Sequence, residues 1–393
     1  REAVEELSQS RQEPDWLLEM RLRALDTFES LPMPDQRTEG WRRTSLRDLD
    51  LDALEMDRQG ARVDIRGDAA GRVLKLEDAL NDARLAPLVR RHFGQVVLAN
   101  ADRLVALHYA LFNTGVVVWV PRGSAVSQPI WISYNFDQAG RSLLVHTLVI
   151  AEDETDMNLI EDHQGRAGLS VNVVEQVLGA NAHVRYVNLQ RFSHGVWSFS
   201  TQRAHLAQDA SLRTLNVALG GRLARNSVQV ALDGRGSQAD LLGLVDAVDH
   251  QHVDFQTLQE HSGDQTRSDL VIHDALRDAS SANFTGLIRI NKSAHQTASS
   301  QEQKNILLSE SAKADSDPKL EILNNDVIRC THGAAVGPVD PELIFYLQSR
   351  GLDQLTAERL VVEGFFRSTL AKLELPEVEE QVWTAVAEGW AGA

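Results

Sequence analysis

Leu178-Gly179-Ala180-Asn181-Ala182-His183-Val184-Arg185-Tyr186-Val187-Asn188-Leu189 joins an aliphatic residue, a short polar turn with small residues, and a strand. From Val184 to Leu189 polar and apolar residues nearly take turns, the period-two pattern of a half-buried strand. The unit recurs. Ile150 opens Ala-Glu-Asp-Glu-Thr-Asp-Met-Asn-Leu-Ile, Leu206 opens Ala-Gln-Asp-Ala-Ser-Leu-Arg-Thr-Leu, and Leu232 opens Asp-Gly-Arg-Gly-Ser-Gln-Ala-Asp-Leu. The intervals are 28, 28 and 26 residues. Turns of similar type follow Leu276 and Leu308 with less regular spacing. Repeats of roughly 20–50 residues indicate stacked architectures, and a propeller blade needs about 40 residues and four strands. These units are almost all strand and carry no helix, so the spacing predicts a β-helix or β-solenoid. Stacked coils leave strand edges open at each end, and those edges must be capped or paired.

Helical patterns flank this core. Towards the N-terminus, Pro14 suits a first helical turn, and Leu18, Leu22 and Leu25 recur on one face until Leu31-Pro32-Met33-Pro34 stops the helix. A further helical pattern runs from Leu76 to about His92. Residues 1–95 are read as a mainly helical packing or partner-binding domain, 96–337 as the β core, and 338–393 as a C-terminal helical domain. In that last part Asp340, Pro341 and Gly351 suit the cap, first position and end of one helix. A second is expected from about Ala357 to Leu373, capped by Thr356. Its Leu360, Val361, Val362, Phe365, Phe366 and Leu370 cover more than one stripe, which the solenoid or a partner must bury.

Composition narrows the function classes. Lys and Arg total 39 against 56 Asp and Glu, a formal net charge of −17. Such a chain is repelled by phosphate, which argues against nucleic acid or an anionic membrane as the main partner. The longest apolar run, Val116 to Val120, is too short to span a bilayer. Arg1 to Ser10 carries no apolar signal-peptide region. A single cysteine excludes an intramolecular disulfide framework and fits a reducing compartment, so a cytoplasmic location is expected.

The motifs of phosphate loops, nucleophile elbows, His-Glu-x-x-His and Cys-x-x-Cys are absent from the sequence. Two constellations remain. His250, His252 and Asp254 are expected on one face of a strand, with His261 downstream, as a metal site or a solvated polar ladder. The lone cysteine stands in Arg329-Cys330-Thr331-His332-Gly333. In a strand, Cys330 and His332 share a face. That is a soft-metal-capable pair, but zinc and iron–sulfur centres want three or four protein ligands, so the rest of any site must lie elsewhere.

Several ordered motifs resemble the SufB/SufD family of the SUF iron–sulfur cluster assembly system. They are Glu13-Pro14-Asp15-Trp16-Leu17-Leu18, Gly40-Trp41-Arg42-Arg43-Thr44, Gln251-His252-Val253-Asp254 through Glu260-His261, Phe284 to Ile290, Asn305 to Leu308, Pro318 to Ile322, Asp326-Val327, Cys330 to Ala334, and Phe345 to Gly351. The resemblance covers most of the chain. Within the family the chain is similar to the SufD branch: Gly333 follows His332 where SufB-like chains have Glu, and Gln301 to Lys304 lacks a cysteine found in SufB-like chains.

The resemblance implies a right-handed parallel β-helix flanked by helical domains. It implies a non-catalytic accessory subunit that pairs with a SufB-like paralogue through the β-helix edge. The C-terminal helices would dock a SufC-like ABC ATPase through Leu343, Phe345, Tyr346, Phe365 and Phe366. His332, with Cys330 as a second candidate, would ligate iron or a transient iron–sulfur cluster shared with the partner. The alternatives are a SufB-type scaffold working with SufC alone, and a purely structural adaptor. Homodimer pairing and flavin association stay open, as does a plastid location if the source is a photosynthetic eukaryote. A β-helix carbohydrate-active enzyme is disfavoured, because no paired carboxylates stand out.

Overall fold

The computed structural model describes residues 1–67 and 73–391. Strands from Thr114–Val120 to Val327–Pro338 wind as a two-sheet solenoid, successive strands falling alternately in one sheet and the other. Within each sheet the coil-to-coil pairing is parallel and in register. The turns explain the sequence repeat. Each coil turns on a residue in the left-handed region: Glu154, Asn181, Asp209, Gly236, Gln265 and Gln296. Only glycine takes this conformation freely, with Asn and Asp next, which accounts for Asn181, Asp209 and Gly236.

The register agrees with most of the repeat read from sequence. Leu178, Leu206 and Leu232 are direct ladder partners. The first mark is one residue off, because Leu178 pairs with Ala151 while Ile150 pairs with Val177. Leu276 belongs to the opposite sheet, where it pairs with Ala247 and Leu307, so its spacing from the other marks is irregular.

The inward rows of both sheets form one core running from Val116 to Ala312. The outer face of the first sheet is covered by the N-terminal helices, through Leu17, Phe93 and Tyr109 against Leu144, Leu148 and Val171. The helix Arg103–Leu111 is part of this layer. The outer face of the second sheet is covered by Gln354–Leu370 and Pro376–Ala391, whose Val362, Phe366, Leu370 and Val382 meet Val187, Leu215, Leu242 and Val271. The first of these helices begins earlier than the sequence reading placed it. Its cap is Asp353, whose carboxylate accepts from the Thr356 backbone N–H at 2.8 Å; Thr356 lies inside the first turn.

The two ends of the solenoid differ. At the N-terminal end, Arg62–Arg66 and Val73–Lys75 add antiparallel strands onto Ile130–Asp137 and Thr114–Val120. At the other end, Lys313–Ile322 and Val327–Pro338 are the outermost strands, each paired on one side only. Their backbone edges are bare among the described residues, and Leu320, Ile322, Ile328 and Val336 stand exposed there. Ile328 is the extra residue of a β-bulge on that edge, a device that irregularises strand edges.

Candidate functional site

Cys330 and His332 lie on the outermost strand of the second sheet. Their ladder partners one coil in are Ser299 and Gln301, which face the interior. Side chains of paired residues point the same way, so Cys330 and His332 look into the open mouth of the solenoid. Cys330 is half-buried at the rim of Ile288, Ile290 and Ala294, and burial pushes its thiol pKa up. His332 is exposed, and its ring has no hydrogen-bond or ion-pair partner among the described residues. The pair expected from sequence is therefore brought together, with the imidazole free. Among the described residues, no group of three or more His, Cys, Asp or Glu is placed to hold a metal ion.

The layer beneath this strand is polar. Ser299, Gln301, Gln303 and Asn305 all face the interior and are buried. Gln303 Nε2 donates to Asp274 at 2.7 Å and to Asn305 at 2.9 Å, and Ser316 on the facing strand donates to Gln303 Oε1. Asp274 is fully enclosed, and burial raises its pKa to about 7. Further in, His261 Nε2 lies 2.8 Å from Ser268 Oγ, which is 2.7 Å from Ser299 Oγ. Burial pushes the His261 pKa down to about 4, so at neutral pH its ring is uncharged. The mouth thus offers a thiol and an imidazole over a hydrogen-bonding floor.

The second constellation resolves differently. His250 sits in the turn before the strand His252–His261, off the face expected for it, and His261 points inward. His252 and Asp254 hold a strap from the N-terminal layer. Thr44 Oγ1 donates to Asp254 Oδ2 at 2.6 Å and lies 3.1 Å from His252 Nε2. Arg225 also donates to Asp254 Oδ2, donates to the Gly40 carbonyl at 2.9 Å, and lies 3.9 Å from the Trp41 ring centroid. Gln256 and Asn283 donate to Asp254 Oδ1 at 2.6 and 2.9 Å. His252 Nδ1 is 2.8 Å from Ser281 Oγ. Every oxygen and ring nitrogen is already engaged, and burial lowers the His252 pKa. The strap continues to the outermost strand of the first sheet, where Arg43 meets Asp315 at 3.2 Å and Glu39 meets Lys319 at 3.7 Å. Arg225 and Asn283 were missed from sequence, although both lie 29 residues from Asp254, one coil either side.

The C-terminal aromatics separate into two groups. Phe366 is fully buried against the solenoid. Phe365 stacks on His273 with ring centroids 4.2 Å apart, and its carbonyl lies 3.1 Å from His273 Nδ1. The expectation that these two face a partner is therefore corrected: the second sheet uses them. Leu343, Phe345 and Tyr346 lie on Pro341–Ser349, a helix with no buried residue, and Phe345 is 72% exposed.

Residues 134–365 match the family model of the SUF system FeS cluster assembly SufBD core domain. The chain belongs to the SufBD family. It is 28% identical to the iron–sulfur cluster assembly protein SufD of Bacillus subtilis, over 98% of this chain and 96% of that protein. It is 23% identical to Bacillus subtilis SufB over 95% and 90%. The SufBD family protein Rv1462 of Mycobacterium tuberculosis is 32% identical over 72% and 73%. Family membership gives the chain a role in SUF iron–sulfur cluster assembly and a connection to iron or iron–sulfur clusters. Among the described residues, no helix is long and apolar enough to cross a membrane.

Proposed function

We propose that this SufBD-family chain is a SufD-type accessory subunit of the SUF assembly scaffold and performs no catalysis of its own. The observation that carries the reading is the outermost strand Val327–Pro338, which sets His332 beside the only cysteine at an end of the solenoid where, among the described residues, the ring has no partner and the edge no cap. A second SufB-like solenoid would pair with the bare edges, bury Leu320, Ile322 and Val336, and add thiolate ligands across the mouth. His332 would supply an imidazole to iron or to the nascent cluster, which is cargo here. Cys330 is the second candidate, but its raised pKa disfavours the thiolate that binds metal. The exposed helix Pro341–Ser349 would seat an ATPase of the SufC type through Leu343, Phe345 and Tyr346.

The greater similarity to the SufD of Bacillus subtilis than to its SufB, and the absence of a second cysteine, support the SufD-type reading over a main scaffold. The test is anaerobic co-purification with SufB-type and SufC-type partners from the same source. Ile322→Asp with Val336→Asp is expected to release the SufB-type partner while SufC-type binding persists. Phe345→Asp is expected to do the reverse. Retention of both partners by both variants refutes this docking scheme.

A further inference from the structure

A cavity of about 430 Å³ lies at the carboxyl ends of the second sheet's strands, under the last helix, Pro376–Ala391. It is remote from the Cys330–His332 mouth in register, and neither residue lines it. One wall is Val386, Glu388 and neighbours of that helix; the other is built from the strand ends carrying Arg191 and Asp246 and the turns carrying Gln251 and Arg277.

Its floor holds an unusual set of groups. Arg277, Gln251 and Asp246 are each more than nine-tenths buried. Arg277 Nε and Nη2, Gln251 Nε2 and Asp246 Oδ1 have no hydrogen-bond partner among the described residues. Unpaired buried polar atoms are normally rare, and four at one cavity call for a polar occupant. The rest of each side chain is fixed. Gln251 Oε1 accepts from the Val248 N–H at 3.0 Å. Asp246 Oδ2 accepts from Trp390 Nε1 at 2.9 Å. The Arg277 guanidinium rests 3.8 Å from the Trp390 ring centroid, and its Nη2 is 3.8 Å from Asp246 Oδ2. Arg191 is already bonded to Asp162 at 3.0 and 2.6 Å, with Glu388 at 3.9 Å. Arg166, which also lines the cavity, is exposed and bonded to Asp137 at 2.6 and 3.1 Å, so Arg277 is the buried cation with donors to spare.

Three vacant donors against one vacant acceptor select a ligand rich in acceptor oxygens, and guanidinium matches carboxylate and phosphate in geometry. We infer that this cavity is a binding site for a small oxyanion, a phosphate or carboxylate group held by Arg277 and Gln251 beneath the last helix. Asp246 sits beside it as a like charge that limits affinity. Because Trp390 of the covering helix touches both Arg277 and Asp246, occupancy also bears on how that helix is seated.

The test uses the full chain and two probes, inorganic phosphate and acetate, titrated calorimetrically at a pH well above 6 so that Asp246 is charged. Saturable binding of at least one probe is expected, and which one binds separates a phosphate site from a carboxylate site. Arg277→Gln is expected to weaken it about tenfold or more, and Gln251→Leu about threefold, as loss of hydrogen bonds to a charged group implies. Asp246→Asn is expected to tighten it severalfold, a sign that a structural role for Asp246 does not produce. If Arg277→Gln fails to fold, the other two variants decide. Absence of saturable heat with both probes means that water fills the cavity and overturns the inference. So does an affinity that none of the variants alters, or one that Asp246→Asn lowers.

Discussion

Asp254→Asn tests whether the Gly40–Thr44 strap is held by the solenoid. The wild-type carboxylate is fully buried and accepts from four side chains. Gln256 and Asn283 can reorient their amides around an Asn, but Thr44 and Arg225 lose a charged acceptor. Hydrogen bonds to a charged group are worth about 1.5–3 kcal/mol each, and breaking a buried pair by removing one partner costs about 3–5 kcal/mol. Trp41, packed on Phe199 with ring centroids 6.3 Å apart, still anchors the strap, so the lower value of about 3 kcal/mol is adopted. That corresponds to roughly hundredfold faster opening at 1.4 kcal/mol per decade. The amides that report it are Trp41 N–H on Thr38 O and Thr44 N–H on Trp41 O, at 3.0 and 3.1 Å. Hydrogen–deuterium exchange of the peptide around residues 39–46 should accelerate by that factor, with amides of the distant strand Thr114–Val120 unchanged. Unchanged strap exchange in the Asn variant refutes the clamp. Slower strap exchange in the wild type on adding ferrous or zinc ions, abolished by Asp254→Asn, would restore the metal reading of this face.

Other expectations follow from the same structure. Glu175 accepts from the backbone N–H groups of Gly94, Val96 and Val97 at 2.6, 2.7 and 3.0 Å, with His146 at 3.1 Å. Glu175→Gln places an amide against these donors and should cost about 3 kcal/mol or more by denaturant unfolding; a loss below about 1 kcal/mol would contradict the assignment. Burial raises the folded pKa of Asp274 to about 7, well above the ordinary aspartate value of 3.8. The folded state therefore holds the proton that the unfolded state releases. The stability of the wild type relative to Asp274→Asn should fall as pH rises from about 4 to about 7 and level off above. A difference independent of pH refutes the buried neutral acid. Trp390→Phe removes the bond to Asp246 and weakens the stacking on Arg277, so amides of Pro376–Ala391 should exchange about tenfold faster; unchanged exchange there refutes this latch.

The solenoid was legible because its turns impose a backbone demand. A left-handed corner once per coil falls on polar residues or glycine, and residues such as Asn181, Asp209 and Gly236 show through at that period. The Cys330–His332 pairing was legible for a similar reason, since alternation along a strand is local. What sequence left hidden depends on contacts between coils and layers. Phe365 and Phe366 read as a surplus apolar face, but the sheet residues that take them, His273, Leu242 and Val271, are about a hundred positions away. His252 and Asp254 read as a metal site or a solvated polar ladder, and neither reading includes their partner Thr44, which lies more than 200 residues earlier. In sequence Gln301 to Lys304 stands out only for lacking a cysteine; it is the register that puts Gln301 beneath His332 and Gln303 beneath Ala334.

Iron retention is the most direct test of the central claim that His332 on the open edge is a ligand to the assembly cargo. The complex is co-purified anaerobically with SufB-type and SufC-type partners, and iron per complex is measured for wild type and His332→Ala. His332 is exposed and has no partner among the described residues, so the substitution should leave subunit stoichiometry and thermal stability intact. The account predicts a marked loss of bound iron and of cluster absorbance with the complex still assembled. Equal iron and absorbance in the two complexes would contradict it and leave the chain a structural adaptor.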